Sequence, residues 1–167
     1  MTLETLNRLS VQEAFEELFK CCGSTRWASH VNENRPFESE TVLMNIADKA
    51  WASCKESDYK EAFTHHPKIG DVESLSKKFA STAKWASGEQ KSVESASKAT
   101  ITRLTEQNEA YLSKFGFIFI VCATGKSADE MLQLLEERIG NDQADELEIA
   151  AAEQHKITII RLKKLLS

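Results

Sequence analysis

The sequence predicts an all-α fold: a single-domain multi-helix bundle over residues 1–167 with an irregular buried apolar segment near residues 115–123. Three observations point there. Apolar residues recur at three- and four-residue spacings along most of the chain. Glycine and proline number only 6 and 2, too few to punctuate a many-turned β fold. Ser10-Val11-Gln12-Glu13 and Ser127-Ala128-Asp129-Glu130 both have capping-box form, in which a serine caps the helix and the glutamate three residues on reaches back.

The first expected helix opens at Ser10 and repeats Phe15, Leu18 and Phe19 at helical spacing. Residues 23–38, with Gly23, Asn32, Asn34 and Pro36, read as a loop. A second helix fits Glu40 to Cys54, with Val42, Leu43, Ile46, Ala50 and Trp51 on one broad face. A third, short helix fits Asp58 to His65. Pro67 disfavours the α region for the residue before it, so His66 is expected just past that helix end. A helical stretch near Val72 to Ala80 and a Ser/Ala/Gly-rich link over 81–88 follow. A long helix then runs from about Glu89 to Ser113, with Val93, Ala96, Ile101, Leu104 and Tyr111 as apolar positions. Phe115 to Val121 has β-type composition, but one isolated strand makes no sheet, so it reads as a buried extended or irregular helical segment. Ser127 opens a helix to Ile139, ended by Gly140 and Asn141. The last helix covers about Asp142 to Leu166, where Lys163 and Lys164 suit its C-terminal dipole.

Composition limits the function classes. A formal net charge of -5, with acidic residues spread along the chain, repels nucleic acid and acidic membranes. The longest apolar run, Phe115 to Ala123, is far too short to span a bilayer. Met1-Thr2-Leu3-Glu4 lacks the basic and apolar parts of a signal peptide, and the C-terminal Lys164-Leu165-Leu166-Ser167 is no S-K-L address. A cytoplasmic location is the expectation. Cys21, Cys22, Cys54 and Cys122 form no C-x-x-C pair and read as reduced thiols. No cysteine and histidine grouping has zinc-ligand spacing, and adjacent His65 and His66 would point apart on a helix, so no metal is expected. No G-x-G-x-x-G, P-loop or H-E-x-x-H is present.

Three places could carry chemistry. In His65-His66-Pro67-Lys68-Ile69-Gly70-Asp71, an imidazole at a backbone fixed by proline suits proton transfer near neutral pH. On composition alone, a histidine in a surface turn is the commoner case. Ser87-Gly88-Glu89-Gln90 opens the long helix, where free N–H groups suit an anion or carbonyl, and where plain helix capping also accounts for the residues. Arg161 lies among Ile157, Ile160, Leu162 and Leu165, so it either pairs with a carboxylate, its own or a ligand's, or snorkels off the final helix.

Several segments together resemble one family. They are Ala62-Phe63-Thr64-His65-His66-Pro67-Lys68-Ile69-Gly70-Asp71, Glu89-Gln90, Asn108-Glu109-Ala110-Tyr111-Leu112-Ser113-Lys114-Phe115-Gly116-Phe117-Ile118-Phe119-Ile120, Lys156-Ile157 and Arg161-Leu162. In order and spacing they resemble the 2-oxo-4-hydroxy-4-carboxy-5-ureidoimidazoline decarboxylases, which follow urate oxidase and hydroxyisourate hydrolase in urate breakdown. The resemblance implies an all-α enzyme with no metal and no cofactor, often a homodimer, that converts a small ureidoimidazoline to (S)-allantoin and carbon dioxide. It implies His66 as catalytic proton donor and Glu89 as its catalytic partner. It implies substrate binding by Pro67, Gln90 and Arg161, and by Phe119, Ile120, Val121, Cys122 and Ala123 largely through backbone. The family's serine three residues before the glutamate is Ala86 here; Ser87, one residue later, is expected to supply that hydroxyl. The competing reading is a non-catalytic helical binding module in a ureide-pathway assembly. The joint presence of His66, Glu89 and Arg161 favours the enzyme.

Overall fold

The computed structural model describes residues 1–66 and 90–167, with side chains of the second stretch from residue 98 onward. Eight helices are found among these residues: α1 (Leu3–Arg8), α2 (Val11–Cys22), α3 (Thr25–Glu33), α4 (Glu40–Ala52), α5 (Glu56–Thr64), α6 (Gln90–Phe115), α7 (Ala128–Arg138) and α8 (Gln143–Leu165). No strand occurs among the described residues, as an all-α chain requires. The helix expected over 72–80, the link over 81–88 and the cap of the long helix at Ser87 fall outside them. The chain divides into two compact units, Met1–His66 with Ile149–Ser167, and Pro67–Glu148.

In the first unit, local signals set most helix ends. The Ser10 capping box forms: the Glu13 carboxylate accepts from the Ser10 N–H at 3.0 Å, and the Glu13 N–H donates to the Ser10 hydroxyl at 3.2 Å. Gly23 closes α2 in the left-handed region at φ 83°, its N–H donating to the Phe19 carbonyl at 2.7 Å. Helix α1 lies before any element the sequence reading contained. Its orphan carbonyls are gathered by Arg35, whose Nη1 donates to Leu6, Asn7 and Leu9 at 2.7, 3.3 and 2.9 Å.

Residues 23–38 are not a loop throughout. Helix α3 occupies Thr25–Glu33, capped by the Ser24 hydroxyl, which accepts from the Trp27 N–H at 3.3 Å. The punctuation is real but sits at the ends: Gly23 terminates α2, and Asn34 and Pro36 follow α3. Between them Trp27, Ala28 and Val31 make a short buried stripe. The Trp27 ring is fully buried and its N–H donates to the Ala47 carbonyl of α4 at 3.0 Å. Truncating it to alanine would cost about 3–5 kcal/mol. Leu6, Leu18, Leu43, Phe63 and Leu162 complete this core. Trp51, also buried, donates to the Ala151 carbonyl of α8 at 3.0 Å. Helix α5 begins at Glu56, two residues before the expected Asp58, because Asp58 itself caps it by accepting from the Lys55 N–H at 2.8 Å.

In the second unit, α6 ends at Gly116, whose φ of 74° suits only glycine well. Residues 117–123 are non-helical and mostly buried, with Phe117, Phe119, Ile120, Val121 and Cys122 at 9% exposure or less. This is the irregular buried segment the composition suggested. Tyr111 holds it in place: its ring meets Phe117 edge-on at 5.9 Å and Phe119 at 5.2 Å. The second capping box forms at Ser127 and Glu130, opening α7.

Candidate active site

Helix α5 stops at Thr64, and the His66 N–H donates to the Phe63 carbonyl at 3.2 Å in the turn beyond it. His66 therefore stands just past a helix end, as Pro67 demanded, and is half-buried. Its Nε2 is hydrogen-bonded to Oε1 of Gln154 on α8. Gln154 is fully buried, and its Nε2 donates to the Cys22 carbonyl at 3.1 Å and to the Thr158 hydroxyl at 3.3 Å. The neighbouring His65 is used differently. Its ring meets Phe19 edge-on at 4.9 Å, and a Cβ placed on Gly23 would come within 2.8 Å of its Cβ.

Arg161, one helical turn beyond Thr158, is half-buried, and its Nη1 donates to the Cys21 carbonyl at 3.3 Å. Among the described residues it pairs with no carboxylate. The carbonyls of Cys21 and Cys22 belong to the last turn of α2, where no intrahelical donor remains. Arg161 and the partner of His66 thus hang from adjacent carbonyls of one helix end, where the dipole favours positive charge.

Pro67, Ser87 and Glu89 lie outside the described residues, as does the side chain of Gln90, the first residue of α6. The expected backbone-contact segment is in the second unit. Phe119, Ile120, Val121 and Cys122 are buried and Ala123 is half-buried. Arg138 Nη1 holds the Ile120 carbonyl at 2.8 Å, and Lys126 Nζ holds the Cys122 carbonyl at 3.0 Å.

Gln154 was missed in the sequence. Its signal was available: with Thr158 it is one of two polar members of the buried stripe Ala150, Ala151, Gln154, Thr158 and Leu162 on the last helix. A fully buried carboxamide needs partners, and one of them here is the candidate proton donor.

The four cysteines are buried thiols outside any disulfide. Burial pushes Cys21 and Cys54 up to about 11 and Cys22 up to about 12, so these three stay protonated near neutral pH and are poor nucleophiles. Among the described residues no group of three or more His, Cys, Asp or Glu side chains is placed to share a metal ion. None of the described helices is long and apolar enough to cross a membrane.

Comparison with known proteins places these features in a family. The chain is 38% identical to the uric acid degradation bifunctional protein of Arabidopsis thaliana over 147 residues, 88% of this chain and 45% of that protein. It is 28% identical to the 2-oxo-4-hydroxy-4-carboxy-5-ureidoimidazoline decarboxylase of Haloferax volcanii, covering 100% of this chain and 97% of the relative. Its fold matches a crystal structure of OHCU decarboxylase obtained in the presence of (S)-allantoin. That match has a TM-score of 0.71 and 36% identity, and it covers 90% of this chain and 97% of the other. A family model described as OHCU decarboxylase matches residues 7–163. With nearly its whole length matched, the chain belongs to the OHCU decarboxylase family.

Proposed function

We propose that this chain decarboxylates 2-oxo-4-hydroxy-4-carboxy-5-ureidoimidazoline to (S)-allantoin and carbon dioxide, with His66 as the proton donor. The observation that carries the activity is the family match over residues 7–163. The role of His66 is supported by its place in a fixed turn, half-buried, with one ring nitrogen already hydrogen-bonded within the protein.

The chemistry asks for few groups. The bond from the ring carbon to the carboxylate breaks, carbon dioxide leaves, and the electron pair stays with the ring. The imidazoline delocalises that pair, so the proposed reaction calls for no separate electron sink. The protein must hold the departing carboxylate, stabilise the charge that develops on the ring and deliver a proton to one face only. His66 delivers the proton, and Glu89 orients the imidazole or the ureido N–H groups. Arg161 and backbone N–H groups bind the substrate's oxygen atoms, and Pro67, Ser87, Gln90 and the backbone of residues 119–123 contact the substrate. Arg161 suits that task because its described partner is a neutral carbonyl, leaving the guanidinium charge uncompensated for a carboxylate.

The same reading takes residues 1–167 as a single decarboxylase domain, homodimeric and cytoplasmic, with no nucleic-acid partner. The net charge of -5 supports the last point. The decisive experiment mixes the purified chain with freshly generated substrate and follows circular dichroism, because spontaneous decay gives racemic allantoin. Stereospecific product, with a rate unaffected by chelators, is expected. A racemic product at the spontaneous rate would leave the non-catalytic binding module standing instead.

A further inference from the structure

We propose that Arg138 and Lys126 are positioning residues. By holding the carbonyls of Ile120 and Cys122 they turn the N–H groups of Val121 and Ala123 toward the substrate and strengthen them as donors to its oxygen atoms. This rests on the decarboxylase reading above and adds to it the two side chains that shape the backbone of residues 119–123.

Residues 117–123 belong to no helix, so no regular ladder sets the direction of their peptide groups. Two cations set it instead. Arg138 Nη1 donates to the Ile120 carbonyl at 2.8 Å, and Lys126 Nζ donates to the Cys122 carbonyl at 3.0 Å. The peptides that follow Ile120 and Cys122 are trans, and across a trans peptide the N–H is directed opposite to the C=O. Fixing the Ile120 oxygen therefore turns the Val121 N–H away from Arg138. Fixing the Cys122 oxygen likewise turns the Ala123 N–H away from Lys126. Neither statement needs a particular φ or ψ, because the peptide plane is rigid.

Each cation is itself held in place. Nε and Nη2 of Arg138 donate to one oxygen of the fully buried Glu146, which also accepts from the Tyr111 hydroxyl. The other Glu146 oxygen accepts from Asn141 Nδ2 at 2.9 Å. Lys126 is brought back onto its own segment by a turn: its N–H donates to the Ala123 carbonyl at 3.1 Å, and Gly125 supplies the φ of 77°. The charge on both donors matters, since a neutral side chain would also hold a carbonyl. A cation on a peptide oxygen draws electron density from the N–H of the same peptide group and makes it a better donor. Such N–H groups suit the carboxylate and carbonyl oxygens of a ureidoimidazoline.

The test uses the full chain labelled with 15N at valine and alanine, with (S)-allantoin as the probe. The Val121 and Ala123 amides are identified by the signals lost in Val121→Ile and Ala123→Ser. Both should shift downfield as the wild-type protein is saturated. Lys126→Met should abolish the Ala123 response and keep that of Val121, and Arg138→Met should do the reverse. General loosening of the fold would weaken both together. In turnover, Lys126→Met should raise KM about three- to tenfold, the worth of one hydrogen bond, with kcat changed by less than about twofold. Lys126→Arg keeps a charged donor and should restore KM. Where Arg138→Met does not fold, Lys126→Met decides. Silent Val121 and Ala123 amides in a chain that forms (S)-allantoin stereospecifically, or an unchanged KM in Lys126→Met, overturn the proposal alone. Absence of both stereospecific turnover and any amide response to (S)-allantoin overturns it together with the decarboxylase reading.

Discussion

Arg138 and Glu146 form a buried ion pair in which Nη2 and Nε of the guanidinium lie 2.5 and 2.9 Å from one carboxylate oxygen. The same guanidinium holds the Ile120 carbonyl at 2.8 Å and lies 4.6 Å over the Phe119 ring. The same carboxylate oxygen accepts from the Tyr111 hydroxyl, whose ionisation is pushed far up by burial and then by this neighbour. Glu146 is fully buried and Arg138 is 8% exposed, so neither partner has water to fall back on. Arg138→Met leaves a buried carboxylate without its cation and should lower the free energy of unfolding in urea by about 3–5 kcal/mol. A loss below about 1 kcal/mol would mean that the pair behaves as a surface pair. Because the substrate-contacting backbone proposed at residues 119–123 hangs from Arg138, any folded variant should also show a raised KM.

The two adjacent histidines should separate cleanly. His66→Gln or His66→Asn should keep the fold and lose stereospecific turnover by at least the hundred- to ten-thousand-fold typical of a general acid, roughly. His65, seated on Phe19 and Gly23, should cost only packing when replaced by asparagine, about 1 kcal/mol. Optical activity of the product is the readout, since spontaneous decay continues in either variant. Near-normal (S)-allantoin formation by folded His66→Gln would refute the assignment, and a comparable collapse in a His65 variant would mean that the wrong histidine carries the proton.

Gly23→Ala tests the turn beneath both histidines. An alanine there must adopt a φ of 83° and press its Cβ within 2.8 Å of the His65 Cβ, an atom fixed by the backbone. The left-handed conformation alone costs about 1 kcal/mol, and the clash adds to it. The expected result is a lower Tm together with reduced turnover, as the His65–His66 turn is displaced. Wild-type stability in this variant would contradict the close approach.

Cys21, Cys22 and Cys54 should resist alkylation in the native protein. Their thiols are pushed from 9.0 to about 11, 12 and 11, chiefly by burial. Two units lower the thiolate fraction at pH 8 by about a hundredfold, before access is considered. Peptide mapping after iodoacetamide treatment should find these positions labelled only once the chain is unfolded. Rapid native labelling of any of the three would point to a site more open than the fold shows.

Features that depend on near neighbours are legible in the chain without its fold. The two capping boxes, the stop at Gly23, the buried irregular segment after Gly116 and the place of His66 just beyond a helix end all follow from residues within a few positions of one another. Residues 23–38 show the limit of such reading. Their turn-forming residues mark the ends of a nine-residue helix, and that helix is held by Trp27 against α4, twenty residues along the chain. The family resemblance carried the activity because it draws on the whole pattern rather than on any one motif.

The tertiary structure decided what depends on distant pairs. Gln154 and His66 are 88 residues apart, and Arg161 and Cys21 are 140 apart. Local spacing contains no term that joins them. Only packing of the part of α8 from Ile149 onward in the same unit as α2 and His66 turns a buried glutamine into the partner of an imidazole. The physical reason is that a buried amide must find a donor and an acceptor, and the fold, not the flanking sequence, supplies both.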